Sequence, residues 1–312
     1  MTIRQAVEQY IEHKRSLGVK LVSQAASLRS FARMAGDVSP EVIGAEQVRA
    51  FLFAGNTASR TASNRCSTLR GFYRYATARN IATTSPLPVR LPRVTQRLEP
   101  HVYSHAELRR LLRATGHLPL SKLQPHTMHV LLLVLYGAGL RIGEALRLVM
   151  SDVDLLRGVL NIRLSKFYKD RLVPVGSDLT AVLRDYAAIR RYLGHAEDRE
   201  GAFFLNDAGE PITILLAEQV FRRLCKLAQV RRQDFGRYEP RLHDLRHTFA
   251  VHRVIAWYQT GADVNLMLPK LSTYLGHFQL SYTQHYLTMT LELLHKASTR
   301  FESFAQPEGL HD

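Results

Sequence analysis

The chain has 312 residues, 46% hydrophobic and 22% charged, a composition that supports a buried core in one or two domains. With 42 Lys and Arg against 27 Asp and Glu, the net charge is +15, which points to a polyanionic partner and away from ordinary small-metabolite chemistry. The longest apolar run, Val130 to Leu140, is too short for a bilayer span of about 20 residues. Met1–Ala6 has no apolar signal core, and Cys66 and Cys225 fit neither a disulfide framework nor a zinc spacing, so reduced, buried thiols are expected.

Four helices are predicted in the first 80 or so residues. The first runs from Thr2 to Leu17, with Val7, Tyr10, Ile11 and Leu17 on its apolar side and Gly18 as a stop. The second covers Ser23 to Met34, with Leu28, Phe31 and Ala32 inward. The third covers Ala45 to Phe53, closed by Gly55, and the fourth Ala62 to Arg79, with Leu69, Phe72, Tyr73 and Ala76 at helical spacing. No strand pattern interrupts them, so a small helical bundle is expected. Arg60, Arg65, Arg70, Arg74 and Arg79 recur along the fourth helix on one broad side, either a solvated basic face or a face laid against DNA phosphates.

Thr83 to Arg93 then holds three prolines among polar and basic residues, with Pro100 beyond, which excludes a helix or core strand there. The domain reading is therefore a helical domain over 1–84, a basic linker over 85–103 carrying Arg90 and Arg93, and a larger domain over 104–312.

Ser104 with Glu107 three residues later is a capping box that opens a helix through Leu112. Met128 to Tyr136 reads as a buried helix. The glycines of Gly137-Ala138-Gly139-Leu140-Arg141-Ile142-Gly143 have the wrong spacing for a dinucleotide loop; a tight turn that presents Arg141 at the start of a new helix fits better, because a helix N-terminus favours anions. Val159–Leu164 and Arg171–Val175 alternate and read as a β-hairpin whose tip carries Lys166 and Lys169. Helices are expected over Ser177–Tyr192 and Ile214–Ala228, and a last one from Leu287 to Phe304 with a leucine stripe at Leu287, Leu291 and Leu294, before a polar tail. The fold class is mainly α with a small β-hairpin or sheet.

Between these lies Leu242-His243-Asp244-Leu245-Arg246-His247. His243 and Arg246 are three apart and share a helix face, so an imidazole and a guanidinium can address one anion. His243 and His247 have metal-like spacing, but no third ligand follows, and no metal or cofactor is expected. Taken with Gly139-Leu140-Arg141-Ile142-Gly143-Glu144, the hairpin Lys166, Leu275-Gly276-His277, and Tyr286 nine residues beyond that histidine, the run resembles the tyrosine recombinase (phage integrase) family in order and spacing. The resemblance covers the whole layout.

What the resemblance implies is a site-specific DNA recombinase that cuts and rejoins DNA through a 3′-phosphotyrosine. Its catalytic residues would be Arg141, Lys166, His243, Arg246, His277 and the nucleophile Tyr286. Glu144 would support them, Lys169 competes with Lys166, and Tyr274 and Tyr282 compete with Tyr286. Arg60, Arg65, Arg70, Arg74, Arg90, Arg93 and Lys169 would contact DNA. Family members act as tetramers on two duplexes, so the expected partners are double-stranded DNA, further copies of the chain and other recombinases or accessory factors, in the cytoplasm at the nucleoid. A type IB topoisomerase-like enzyme and a non-catalytic DNA-binding protein are the alternatives. The segment between Val254 and Leu271, with Trp257 and Tyr258, is longer than in compact family members, and core or local packing is expected of these two residues.

Overall fold

A computed structural model describes residues 1–19, 21–55, 59–88, 100–118, 123–163, 170–195, 198–232 and 238–277. The chain divides into two compact units, Met1–Leu98 and Glu99–Asp312.

The first unit holds α1 (Ile3–Ser16), α2 (Val22–Ala35), α3 (Ala45–Leu52) and α4 (Ser59–Ala78). Thr2 starts α1 by a reciprocal cap: its backbone N–H donates to Gln5 Oε1 at 2.9 Å and its hydroxyl accepts from the Gln5 N–H. The predicted inward residues Leu28, Phe31, Leu69, Phe72 and Ala76 are all buried in one apolar cluster. Helix α4 starts three residues earlier than the apolar spacing predicts, because Ser59, Arg60 and Thr61 are polar and carry no apolar period.

Arg60, Arg70 and Arg74 of α4, and Arg79 just beyond its end, are exposed, as a basic outer face requires. Arg65 departs from that reading. Its Nη1 donates to the carbonyls of Phe51 (2.8 Å), Leu52 (3.4 Å) and Ala54 (3.3 Å), and its guanidinium lies 5.0 Å from the Phe51 ring centroid. Here the cation closes the C-terminal end of α3, where the last carbonyls and the helix dipole attract positive charge. Arg90 and Arg93 lie outside the described residues.

The second unit begins with α5 (His105–Ala114), and its capping box is as the sequence predicts: the Ser104 N–H donates to Glu107 Oε2 at 2.7 Å and the Ser104 hydroxyl accepts from the Glu107 N–H at 3.2 Å. Then follow α6 (Pro125–Gly137), α7 (Ile142–Ala145), α8 (Ser177–Tyr192), α9 (Ile214–Leu227), α10 (Leu242–Gln259) and α11 (Val264–Leu275). Helix α6 is apolar on nearly every side. It packs against α8 and α10 and forms the centre of the core.

Between α7 and α8 sits a three-stranded antiparallel sheet, β1 (Val153–Asp154), β2 (Val159–Ile162) and β3 (Arg171–Pro174), in the order β1-β2-β3. The hairpin reading names β2 and β3 but not β1, which at two residues is too short to show alternation. Leu160 faces Val173 and Ile162 faces Arg171, so these four side chains share one face, and Leu160, Ile162 and Val173 are buried there. The hairpin tip with Lys166 and Lys169 lies outside the described residues, as does everything after His277, including Tyr282, Tyr286 and the predicted last helix.

The long segment after Val254 has a simple build. Helix α10 runs on to Gln259, Gly261 turns at φ 72°, and Asp263 caps α11 by accepting from the N–H groups of Asn265 and Leu266. Trp257 and Tyr258 pack partly buried against the α10–α11 apolar cluster, the local packing expected of them. No helix among the described residues is long and apolar enough to cross a membrane.

Candidate active site

The site starts from the turn between α6 and α7. Gly139 has φ 61°, and a Cβ built on it would meet Phe249 Cδ1 at 2.6 Å and Leu275 Cδ2 at 3.0 Å. Only glycine lets the turn press this closely on α10 and on the end of α11. The Gly139 carbonyl thereby comes within 2.8 Å of Arg246 Nη1, while Arg246 Nη2 donates to the Leu275 carbonyl at 2.5 Å. Arg246 is almost wholly buried and ties α10 to both neighbouring segments.

Arg141 occupies the cap position of α7. Its N–H donates to Glu144 Oε2 at 3.1 Å, and its Nη1 donates to Glu144 Oε1 at 2.6 Å. Its side chain stays 32% exposed, so an anion arriving from solvent can reach it. Glu144 is buried and collects two further cations: Arg171 Nη1 and Nη2 donate to Oε1 and Oε2 at 3.2 and 2.8 Å, and Arg246 Nη1 lies 3.7 Å from Oε2. Burial pushes the Glu144 carboxyl up, but the Arg171 hydrogen bonds and the charges of Arg171, Arg141 and Arg246 outweigh it and hold the group at about 2.

His277 follows α11 directly. Gly276 takes the left-handed conformation at φ 65°, and the His277 N–H donates to the Ser272 carbonyl at 2.9 Å, the usual glycine stop of a helix. Arg141 Nη2 reaches the Gly276 carbonyl at 3.4 Å, so the Leu-Gly-His run and the Arg141 turn are joined. Burial first, and then the charges of Arg246, Arg141 and Arg171, push the His277 imidazole down to about 3. His243 is pushed down by burial and by Arg246, with Asp244 opposing. His247 is pushed down to about 3 by burial and then by His243, and its ring meets that of His243 edge-on at 4.8 Å between centroids. Burial and the neighbouring arginines thus favour the neutral form of all three rings. Asp244, beside them, is fully buried and held by Arg241 at 2.7 Å, which fixes the first turn of α10.

Of the sequence-predicted residues, Arg141, His243, Arg246 and His277 therefore lie on three segments that the Gly139 turn, Glu144 and the end of α11 draw together. Tyr274 is half-buried, donates to the Pro174 carbonyl at 3.1 Å and stacks on Phe249 at 5.7 Å, which is a packing role.

Sequence comparison places this geometry. The Phage integrase family matches residues 101–292. A Sinorhizobium fredii protein described as an integrase/recombinase, y4rB, is 36% identical over 306 residues, which is 96% of this chain and 97% of its own. The chain belongs to the phage integrase family. Tyrosine recombinase XerC of Lacticaseibacillus casei is 32% identical over 233 residues, 73% of this chain and 72% of that protein. Among solved structures, a lambda integrase tetramer bound to a Holliday junction shares the fold with a TM-score of 0.68 at 17% identity, over 92% of this chain and 77% of that one. The chain is thus a tyrosine recombinase, an enzyme of site-specific DNA breakage and rejoining.

The sequence reading of this recombinase missed Arg171. The signal was present: in an alternating strand Arg171 shares a face with Val173, so a cation was being sent toward the core, where it needs a buried partner.

The histidines make acid stability a readout of the site. Their folded-state values lie below the ordinary 6.5, so the unfolded chain takes up protons first as pH falls. Their stabilising contribution is complete above about pH 6.5 and is lost as pH falls toward about 3. Thermal melts of the recombinase are expected to fall below pH 6.5, and His277→Gln is expected to flatten that fall between pH 6 and 4. An unchanged slope in the variant would contradict the assignment.

Proposed function

We propose that this recombinase cleaves DNA by attack of the Tyr286 hydroxyl on a backbone phosphorus. The attack forms a 3′-phosphotyrosine and releases a 5′-hydroxyl, and rejoining is the same step in reverse on a second strand. The covalent link stores the bond energy, so no nucleotide cofactor is consumed. The observation that carries the reading is the meeting of Arg141 and Arg246 at one buried carboxylate, with Arg141 open to solvent and Arg246 beneath it. Such a pair stabilises charge that builds on the non-bridging oxygens of a pentavalent phosphorus.

In this reading His277 hydrogen-bonds the phosphate and His243 assists proton transfer at the tyrosine, both from the neutral state that their surroundings favour. Lys166 protonates the departing 5′-oxygen. Arg60, Arg70, Arg74, Arg90, Arg93 and Lys169 hold DNA phosphates, whereas Arg65 is committed to α3. The working assembly in this reading is a tetramer on two duplexes, acting at the nucleoid in the cytoplasm; the lambda integrase tetramer on a Holliday junction, which shares the fold, supports the assembly.

The test is a nicked duplex that traps the covalent product. Wild type should form a detergent-resistant protein–DNA complex. Tyr286→Phe should form none while still shifting the duplex in a native gel. A covalent complex with the Phe variant would sink the proposal.

A further inference from the structure

We propose that Arg171 is a positioning residue for cleavage, which aligns the Arg141–Arg246 pair without touching DNA itself. This deepens the function proposed above and rests on it, because it takes those two arginines as the phosphate clamp.

Three observations carry the inference. Arg171 spans both oxygens of Glu144 with a two-pronged contact, at 3.2 and 2.8 Å, so its planar fork fixes the plane of that carboxylate. Arg141 hangs from the same two oxygens, through its side chain to Oε1 and its backbone N–H to Oε2, so the angle of the carboxylate sets the angle of Arg141. The third prong of Arg171, Nε, donates to the Tyr274 carbonyl at 3.1 Å, one turn before His277. The guanidinium therefore links β3, α7 and the end of α11, and it does so with its side chain only 11% exposed, out of reach of a bulk-solvent ligand.

Gly276 is part of the same device. A Cβ there would stand 3.0 Å from Arg171 Nη1 and 3.2 Å from Cζ and Nε. The glycine of Leu275-Gly276-His277 is thus needed twice, for its left-handed φ and to leave room for Arg171 underneath.

A misplacement of about 1 Å in a positioned catalytic group costs on the order of 10²-fold in rate. Arg171→Met is therefore expected to lower single-turnover cleavage of the nicked duplex by about 10–100-fold, with DNA affinity changed less than about threefold. The decisive step is a double-variant cycle with Arg141→Ala. If Arg171 acts through Arg141, adding Arg171→Met to Arg141→Ala should cost less than about threefold more.

A full multiplicative loss in the double variant, or full activity of Arg171→Met, overturns the positioning role. Arg171→Lys covers the case in which the Met variant does not fold. It keeps the charge but not the fork, so a folded Lys variant should still show the cleavage loss and the same non-additivity, and failure of both variants to fold would assign Arg171 to stability alone and likewise overturn the proposal. An Arg141→Ala protein that cleaves at the wild-type rate would instead overturn the clamp reading itself, so the two failures are told apart.

Discussion

Arg246→Ala is expected to lose both a buried joint of the fold and the reaction. The wild-type guanidinium is buried, donates to the carbonyls of Gly139 and Leu275 at 2.8 and 2.5 Å, and lies 3.7 Å from Glu144. Its removal strands two buried carbonyls, each worth about 1–3 kcal/mol, and takes one of three counter-charges from a buried carboxylate. Breaking a buried charged contact of this kind costs about 3–5 kcal/mol. Denaturant unfolding should show that loss, and single-turnover cleavage at a temperature where the variant is still folded should fall by about 10²–10³-fold, the cost of one missing anion-stabilising contact. Arg246→Lys should recover little of either, because one ammonium cannot serve two carbonyls from the geometry of a planar fork. A stability loss under about 1 kcal/mol for the Ala variant would contradict this account of α10.

How much of this was legible in the sequence depended on distance along the chain. The amphipathic helices could be read because their period is local, and α8 begins and ends where the pattern predicts. The Arg141 turn could be read from its glycines, since φ of 61° at Gly139 is a backbone need that only glycine meets cheaply. The strand β1 could not, because two residues carry no period.

The partners of Arg65 were hidden for a related reason. Its charge suggested solvent, but its partners, the carbonyls of residues 51, 52 and 54, belong to a different helix whose end no local pattern places beside it. Arg171 meets Glu144 from 27 residues away and Tyr274 from 103, so only the folded chain brings the three together. The motif residues were found because they recur as a family set; what holds them in place was not, because it is written in long-range contacts.

That support centres on Glu144 and its charge. Three guanidinium groups, those of Arg141, Arg171 and Arg246, surround the one Glu144 carboxylate. Glu144→Gln keeps the shape and one acceptor oxygen but leaves the three cations to repel each other, at an expected cost of about 3–5 kcal/mol. A backbone phosphate brought to Arg141 supplies a negative charge at the same place. Duplex carrying the cleavage site should therefore raise the melting temperature of the Gln variant more than that of wild type, since part of what the variant gains on binding is the lost counter-charge. The pH dependence gives a second check. The folded Glu144 carboxyl is held at about 2 against an ordinary 4.5, so its contribution is complete above about pH 4.5 and is lost as pH falls toward 2. The stability gap between wild type and Glu144→Gln should be constant near neutrality and close on acidification below pH 4.5. An equal response to DNA together with a gap that persists at low pH would mean that the three arginines are balanced by something other than this carboxylate.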